Sequence, residues 1–161
     1  MKAVVIYYSL EGNTERVAKM IAERTGAEII ALKPEKNLIQ KGFTRYLWAG
    51  KTVFFKEKPK LLNKNLNLDA YDTIIIGTPI WAGTFAPPLA TFLAENVMVN
   101  KNIYLFASHA GGTPAKCFAN LQARLQGNKI KDTVDFTSPA KMDPQQIAQK
   151  LDPFCRAITV S

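Results

Sequence analysis

Five short segments of the chain have the apolar pattern of β-strands. Residues 3–8 are apolar throughout, as expected of a strand that is buried on both faces of a sheet. Residues 27–32, 71–76 and 103–107 follow as further strands, and residues 129–137, whose pattern is less sharp, predict a fifth.

Segments with helical spacing follow these strands. Residues 13–25 carry apolar side chains three and four positions apart, with Asn13 or Thr14 available as the N-cap and Gly26 as the stop. In the last helix, Pro153 falls inside the apolar stripe and is expected to kink or split it. The later helices are predicted to begin near Pro87-Pro88, Thr113-Pro114 and the capping-box-like Asp143-Pro144-Gln145-Gln146.

The alternation of strands with helices predicts the fold class. It favours an α/β protein, in which a doubly wound five-stranded parallel sheet has helices on both faces and so forms three layers. No repeat or linker divides the chain, so residues 1–161 are expected to form one domain. Residues 33–64 are then the crossover between the second and third strands, with a helix predicted from Leu38, Ile39, Phe43, Tyr46 and Leu47.

Composition and charge exclude several classes of protein. With 47% apolar and 21% charged residues, the chain of 161 residues is not expected to be disordered. No apolar run approaches the ~20 residues of a membrane span. Two cysteines, Cys117 and Cys155, are too few for a disulfide framework, so we expect buried inert thiols and a cytoplasmic location. The net charge is +8, and residues 33–64 hold +7 of it, from nine basic and two acidic side chains.

Three loops follow strands whose carboxyl ends meet at one edge of the sheet, where ligands bind in such folds. Ser9-Leu10-Glu11-Gly12-Asn13-Thr14 offers hydroxyls and a helix N-terminus that can hold a phosphate without lysine or arginine, or it forms an ordinary capped turn. In Thr78-Pro79-Ile80-Trp81-Ala82-Gly83-Thr84, the tryptophan either packs on the domain or stacks on a planar ligand. Ser108-His109-Ala110-Gly111-Gly112-Thr113 either is a flexible loop or, because its residues are small, lets a ligand approach the backbone closely. Together, the loops indicate a phosphorylated, planar, aromatic ligand.

The three loops resemble those of the flavodoxin family, and the resemblance covers nearly the whole chain. It implies the strand order 2-1-3-4-5 and non-covalently bound FMN at the switch between strands one and three, a rule for which flavodoxin itself is the standard example. The matching residues are Tyr8-Ser9 with Gly12-Asn13-Thr14, Gly77 to Thr84 followed by Pro87-Pro88, and Ser108 with Gly111-Gly112.

The resemblance also implies a role for each loop. Ser9, Asn13 and Thr14, with the backbone from Leu10 to Thr14, would hold the FMN phosphate. Trp81 would lie against the isoalloxazine ring, and residues 108–112 would cover its other side or its polar edge. In flavodoxins a peptide beside flavin N5 can rotate on reduction, and the Ala82-Gly83 peptide is the candidate, because glycine makes rotation cheap.

Two residues depart from the family pattern. Glu11 stands where flavodoxins usually carry a hydroxyl residue, and we expect its carboxylate to point to solvent while its N–H still contributes. The third loop lacks the tyrosine that many flavodoxins stack on the flavin, and it contains the only histidine, His109. That histidine is either a polar or cationic neighbour of the flavin or a solvent-exposed loop residue.

The function implied by the resemblance is electron transfer through FMN, with no catalytic residue and no metal. The alternative on the same scaffold is an NAD(P)H-dependent quinone or flavin reductase. The basic residues 33–64 are either a solvated lysine face or a docking surface for an acidic redox partner. A nucleic-acid site is not expected there, because the helical spacing of several aromatic residues favours core packing.

Overall fold

The computed structural model describes residues 2–36, 58–63, 65–112 and 114–160. Strands and helices alternate along these residues, and two short 3-10 turns lie at Leu68–Ala70 and Pro139–Lys141. The strands are β1 Ala3–Tyr7, β2 Glu28–Ala31, β3 Thr73–Trp81, β4 Thr84–Phe85, β5 Asn102–His109 and β6 Lys129–Thr137. The α-helices are α1 Asn13–Thr25, α2 Pro87–Glu95, α3 Pro114–Arg124 and α4 Pro144–Thr159.

The sheet has the predicted order of parallel strands. Its path is β2-β1-β3-β5-β6, which is 2-1-3-4-5 when the parallel strands alone are numbered, and it confirms the expected flavodoxin-like topology. The short β4 adds an antiparallel strand that pairs with the end of β3. The strand order reverses at β1, so the ends of β1 and β3 form the edge where a ligand is expected.

Two hydrophobic cores lie on opposite faces of the sheet. Successive side chains of a strand point to opposite faces, so Ile74 and Ile76 join one core and Ile75 the other. The first core contains Leu89 and Phe92 of α2 together with buried residues of α3. The second contains buried residues of α1 and α4. The three-layer α/β prediction is therefore confirmed.

Several element boundaries differ from the sequence-based expectation. The N-cap of α1 is Gly12, in the left-handed conformation, rather than Asn13 or Thr14, because both of those side chains are engaged elsewhere. The last helix runs unbroken across Pro153, so the expected split is wrong. Pro153 lies on the exposed face, and Leu151 and Phe154 hold both sides of it against the sheet.

The two described ends of the basic segment, residues 33–64, pair with each other. Glu35 N donates to Lys60 O at 2.8 Å, and Leu62 N donates to Lys33 O at 2.8 Å, around an isolated bridge between Pro34 and Leu61. The helix predicted from Leu38, Ile39, Phe43, Tyr46 and Leu47 lies outside the described residues, as does the predicted cap Thr113.

The two thiols are buried and free, and burial raises the pKa of Cys117 to about 12 and that of Cys155 to about 11. Both are therefore protonated and unreactive at neutral pH, as predicted. Among the described residues, no helix is long and apolar enough to cross a membrane. The same part of the chain holds no group of His, Cys, Asp and Glu side chains suited to a metal ion.

Candidate functional site

The three predicted loops converge on one cavity at the carboxyl ends of β1, β3 and β5. Its volume is about 550 Å³, within the usual range for small-molecule sites. No lysine or arginine lies among the described residues that line it. The lining residues are Ser9, Leu10, Glu11, Asn13, Thr14, Pro79, Ile80, Trp81, Ala82, Ser108, His109, Ala110 and Ser138.

The first loop is a tight turn into α1. Tyr8 N donates to Gly77 O at 3.1 Å, which fixes the loop to β3, and Ser9 Oγ accepts from Gly12 N at 3.1 Å. Gly12 has φ +87°, which favours glycine, although a Cβ there would meet no atom within 4 Å. Glu11 is exposed at the rim. The turn therefore presents the N-terminus of α1 to the cavity.

A buried pair of hydroxyls joins the first loop to the third. Thr14 Oγ1 and Ser108 Oγ are 2.7 Å apart, and the two residues are only 1% and 3% exposed. Both also line the cavity. Since a hydroxyl donates one hydrogen bond and accepts two, this contact leaves the pair with one O–H donor and with spare acceptor capacity for a ligand at the cavity.

The turn after β6 closes the site, and sequence analysis missed it. Ala140 N donates to Asn13 Oδ1 at 2.9 Å, and Arg16 Nη1 donates to the carbonyls of Pro139 at 2.7 Å and Ala140 at 3.1 Å. Ser138, with φ +46°, lines the cavity beside them. The position of this turn in the chain could have identified it, because residues 138–141 follow the end of a fourth strand at the same edge of the sheet.

The expected loop after the third strand is a β-hairpin. β3 continues to Trp81, where Trp81 pairs with Thr84 across the two-residue turn Ala82-Gly83. Both turn residues have positive φ, +49° and +77°, which is typical of a type I′ turn. Rotating its central peptide gives a type II′ turn, which favours glycine at the first position, where this chain has Ala82. Ala82 therefore makes rotation of the Ala82-Gly83 peptide costlier than expected from the glycine at position 83.

Trp81 is largely buried and packs edge-on against Tyr8. The ring centroids are 5.7 Å apart with an interplanar angle of 87°, and Trp81 is 8% exposed while still lining the cavity. Burial raises the pKa of the Tyr8 hydroxyl, so that ring is neutral at ordinary pH. The tryptophan thus packs on the domain and also borders the cavity, and its stacking on a planar ligand stays a prediction.

Thr78 and Thr84 hold the hairpin in place rather than line the cavity. Thr78 Oγ1 accepts from Ala86 N at 3.0 Å and donates to Pro79 O at 2.9 Å, so its side chain anchors the start of α2. Thr84 Oγ1 accepts from Asn120 Nδ2 of α3 at 3.0 Å. The predicted site residues that are absent from the lining are Gly12, Thr78, Gly83, Thr84, Gly111 and Gly112.

The strand β5 also runs further than predicted and carries His109 at its end. The His109 side chain is only 6% exposed, and its Nε2 lies 3.0 Å from Asp135 Oδ2 on β6. The exposed-loop interpretation of this histidine is therefore wrong. Gly111 and Gly112, with φ +151° and +125°, follow in an exposed bend.

Comparisons with known proteins agree with this architecture. A crystal structure of a putative flavoprotein from Bacteroides uniformis has a TM-score of 0.75 and 24% identity, with 92% of this chain and 96% of that chain covered. A flavoprotein in complex with FMN from Lactobacillus acidophilus has a TM-score of 0.62 and 19% identity, with 92% of this chain and 97% of that chain covered. The apo form of an NADH:FMN oxidoreductase has a TM-score of 0.62 and 15% identity, with 99% of this chain and 89% of that chain covered.

Two sequence comparisons complete the assignment. A comparison with curated protein sequences found no significant match. A family model described as flavodoxin matches residues 2–143. Because this match covers far more than half of the chain, the protein belongs to the flavodoxin family.

Proposed function

We propose that residues 1–161 form a single domain that binds FMN non-covalently and transfers electrons through it. The observation that carries the proposal is the convergence of the three flavodoxin-like loops on one cavity of about 550 Å³. Family membership and the FMN complex of a protein of the same fold support the choice of ligand.

The residues around the cavity suit the two parts of FMN. The phosphate would lie at the N-terminus of α1, where Ser9, Asn13 and Thr14 meet backbone amides and where about half a positive charge is available. Asn13 Oδ1 already accepts from Ala140, so Asn13 would contribute its Nδ2 donor. The Glu11 carboxylate is exposed at the rim, so water weakens its repulsion of the phosphate.

The isoalloxazine ring would lie between the hairpin and the third loop. Trp81 and Ile80 offer an apolar border, and Ser108, His109 and Ala110 offer polar and backbone groups on the other side. Bound FMN supplies the one- and two-electron chemistry. The chain binds the cofactor, orients its ring and excludes water from part of it, so no general base, nucleophile or metal is required.

Titration with flavins tests the ligand. Apoprotein titrated with FMN should show saturable binding at or below micromolar concentration, followed by flavin absorbance and fluorescence. Riboflavin, which lacks the phosphate, should bind about tenfold more weakly or worse, because hydrogen bonds to a charged group contribute about 1.5–3 kcal/mol each. Equal affinities for FMN and riboflavin would contradict the proposed position of the phosphate at the N-terminus of α1. Absence of FMN binding at micromolar concentration would refute the proposal.

Direct reduction by NADPH separates the electron carrier from the alternative, an NAD(P)H-dependent quinone or flavin reductase. The holoprotein is mixed anaerobically with NADPH in a stopped-flow spectrometer. A carrier stays oxidised until a catalytic amount of a reductase is added. Rapid bleaching of the flavin by NADPH alone would establish the reductase instead.

The basic residues 33–64 form the proposed docking surface for an acidic redox partner. The described ends of this segment adjoin the cofactor site, because Lys33, Pro34 and Glu35 line a depression together with Ser9 and Leu10. A partner that is held there by charge would approach the flavin edge. Its association would be steered at low ionic strength and would slow steeply with salt.

Charge-neutralised variants test the docking surface. Replacing Lys56, Lys58 and Lys60 by glutamine should slow reduction by an acidic flavoprotein reductase and flatten its salt dependence, without changing FMN affinity. The matched control replaces Arg124, Lys129 and Lys131 by glutamine. These residues are exposed near the N-terminal end of β6, at the opposite end of the strand from the cavity. Equal rates in both triple variants would make the segment a solvated surface.

A further inference from the structure

His109 holds the one buried polar side-chain atom that lacks a partner among the described residues. Its Nε2 lies 3.0 Å from Asp135 Oδ2, whereas its Nδ1 is buried and makes no hydrogen bond. The side chain is only 6% exposed and the residue lines the cavity. An unsatisfied buried nitrogen costs about 1–3 kcal/mol, so a donor that reaches Nδ1 would stabilise this arrangement.

The contact with Asp135 determines which nitrogen carries the proton. An ionised carboxylate can only accept a hydrogen bond, so Nε2 must be the donor. In the neutral ring, Nδ1 is then a bare acceptor, and it faces away from Asp135 because the two nitrogens lie on opposite sides of the imidazole. Lys150 Nζ lies 3.7 Å from the same Asp135 oxygen and helps to hold the carboxylate in place.

The strand register makes this arrangement specific. A bulge between Ile103 and Tyr104 shifts the pairing of β5 with β6, and beyond it Ala107 pairs with Asp135 and His109 with Thr137. Asp135 is thus diagonal to His109 across the two strands, within reach of its ring. Ser138 N also donates to His109 O at 2.7 Å, which fixes the histidine backbone at the cavity edge.

We propose that His109 Nδ1 accepts a hydrogen bond from the ring N–H of the bound flavin, with Asp135 as the positioning residue that selects the required tautomer. This inference rests on the proposed FMN site. The oxidised isoalloxazine ring carries one N–H, at N3 on its pyrimidine edge. N3–H is therefore the only ring N–H from which His109 Nδ1 could accept a hydrogen bond. His109 would thereby recognise that polar edge through its side chain.

Nitrogen NMR on the only histidine tests the tautomer directly. In the apoprotein with a neutral ring, the ¹⁵N shifts should show a proton on Nε2 and none on Nδ1. Asp135→Ala should produce a mixture of tautomers. The control Asp132→Ala lies on the same strand, where Asp132 bonds its neighbour Thr133, and it should leave the ring unchanged. A proton on Nδ1 in the wild type, or no effect of Asp135→Ala, overturns the proposal.

Flavin analogues test the ligand contact. FMN should shift the Nδ1 signal of the wild type upfield, as acceptance of a hydrogen bond does. FMN should bind about two- to tenfold more weakly to His109→Phe, and N3-methyl-FMN should discriminate less between wild type and His109→Phe than FMN does. An unshifted Nδ1 in a saturated FMN complex overturns the His109 contact and leaves the FMN site standing. Failure of the wild type to bind any FMN overturns both.

Discussion

Replacing Gly77 by alanine would place a methyl group inside the ring of Phe106. The two residues pair across β3 and β5, and a Cβ on Gly77 would lie 2.0 Å from Cζ and 2.4 and 2.5 Å from the two Cε atoms. Phe106 is fully buried in the core beneath α1 and α4, so its ring cannot move aside freely. Overpacking of this kind costs about 1–3 kcal/mol, which is roughly 2–12 °C in melting temperature for a protein of this size.

A double-mutant cycle separates this overlap from other effects of the substitution. Phe106→Ala alone should cost about 3–5 kcal/mol through the cavity it leaves. In the double variant the new methyl enters that cavity, so the combined loss should be smaller than the sum by about 1–3 kcal/mol. The free energies of unfolding come from urea titrations of the apoprotein followed by circular dichroism.

The matched control is Gly26→Ala. Gly26 has φ +70° and no atom within 4 Å of a built Cβ, so alanine there costs backbone strain alone and should be additive with Phe106→Ala. The reasoning about Gly77 fails if Gly77→Ala unfolds at the wild-type urea concentration. It also fails if its loss adds to that of Phe106→Ala within about 0.5 kcal/mol.

Three further substitutions probe the site and the opposite end of the sheet. Trp81→Ala should weaken FMN binding roughly 5- to 30-fold, measured by fluorescence titration, and an unchanged Kd would make Trp81 a packing residue only. Thr14→Val should destabilise the apoprotein by about 1–3 kcal/mol in urea, because it strands the buried Ser108 hydroxyl, whereas equal stability would mean that water replaces the bond. The Tyr71 hydroxyl and Lys2 lower the pKa of Glu28 from its usual range, so the stability lost in Tyr71→Phe should be present at neutral pH and vanish as acid protonates Glu28. A pH-independent difference would contradict this.

Local patterns predicted the elements whose causes are local. The bounds of α1 and β6 agree with the sequence-based ranges, because an apolar stripe ending at Gly26 and a bounded strand pattern are properties of neighbouring residues. β3 was predicted to end at Ile76 because Thr78 and Pro79 are typical of loops. It continues because β4 supplies a partner for Ile80 and Trp81, and the Ala82-Gly83 turn lacks the usual Asn-Gly or Asp-Gly signature.

Long-range geometry set the limits of prediction at the site. The cavity and most of its lining followed from the rule that ligands bind at strand ends. The contact of His109 with Asp135 did not, because it depends on the register of β5 with β6, and a one-residue slip moves every side chain to the other face. The bulge that sets this register has no mark in the sequence of either strand.

The bonds from Asn13 and Arg16 to residues 139 and 140 have a consequence for synthesis of the chain. They span sequence separations of 123 to 127 residues, so the loop after β1 is completed by residues that are synthesised long after it. The nascent chain therefore emerges with the turn after β1 formed locally but not yet held in place by residues 139 and 140. Stable capture of the proposed cofactor should await synthesis of residues 139 and 140, and chains truncated before Pro139 should be recovered as flavin-free protein.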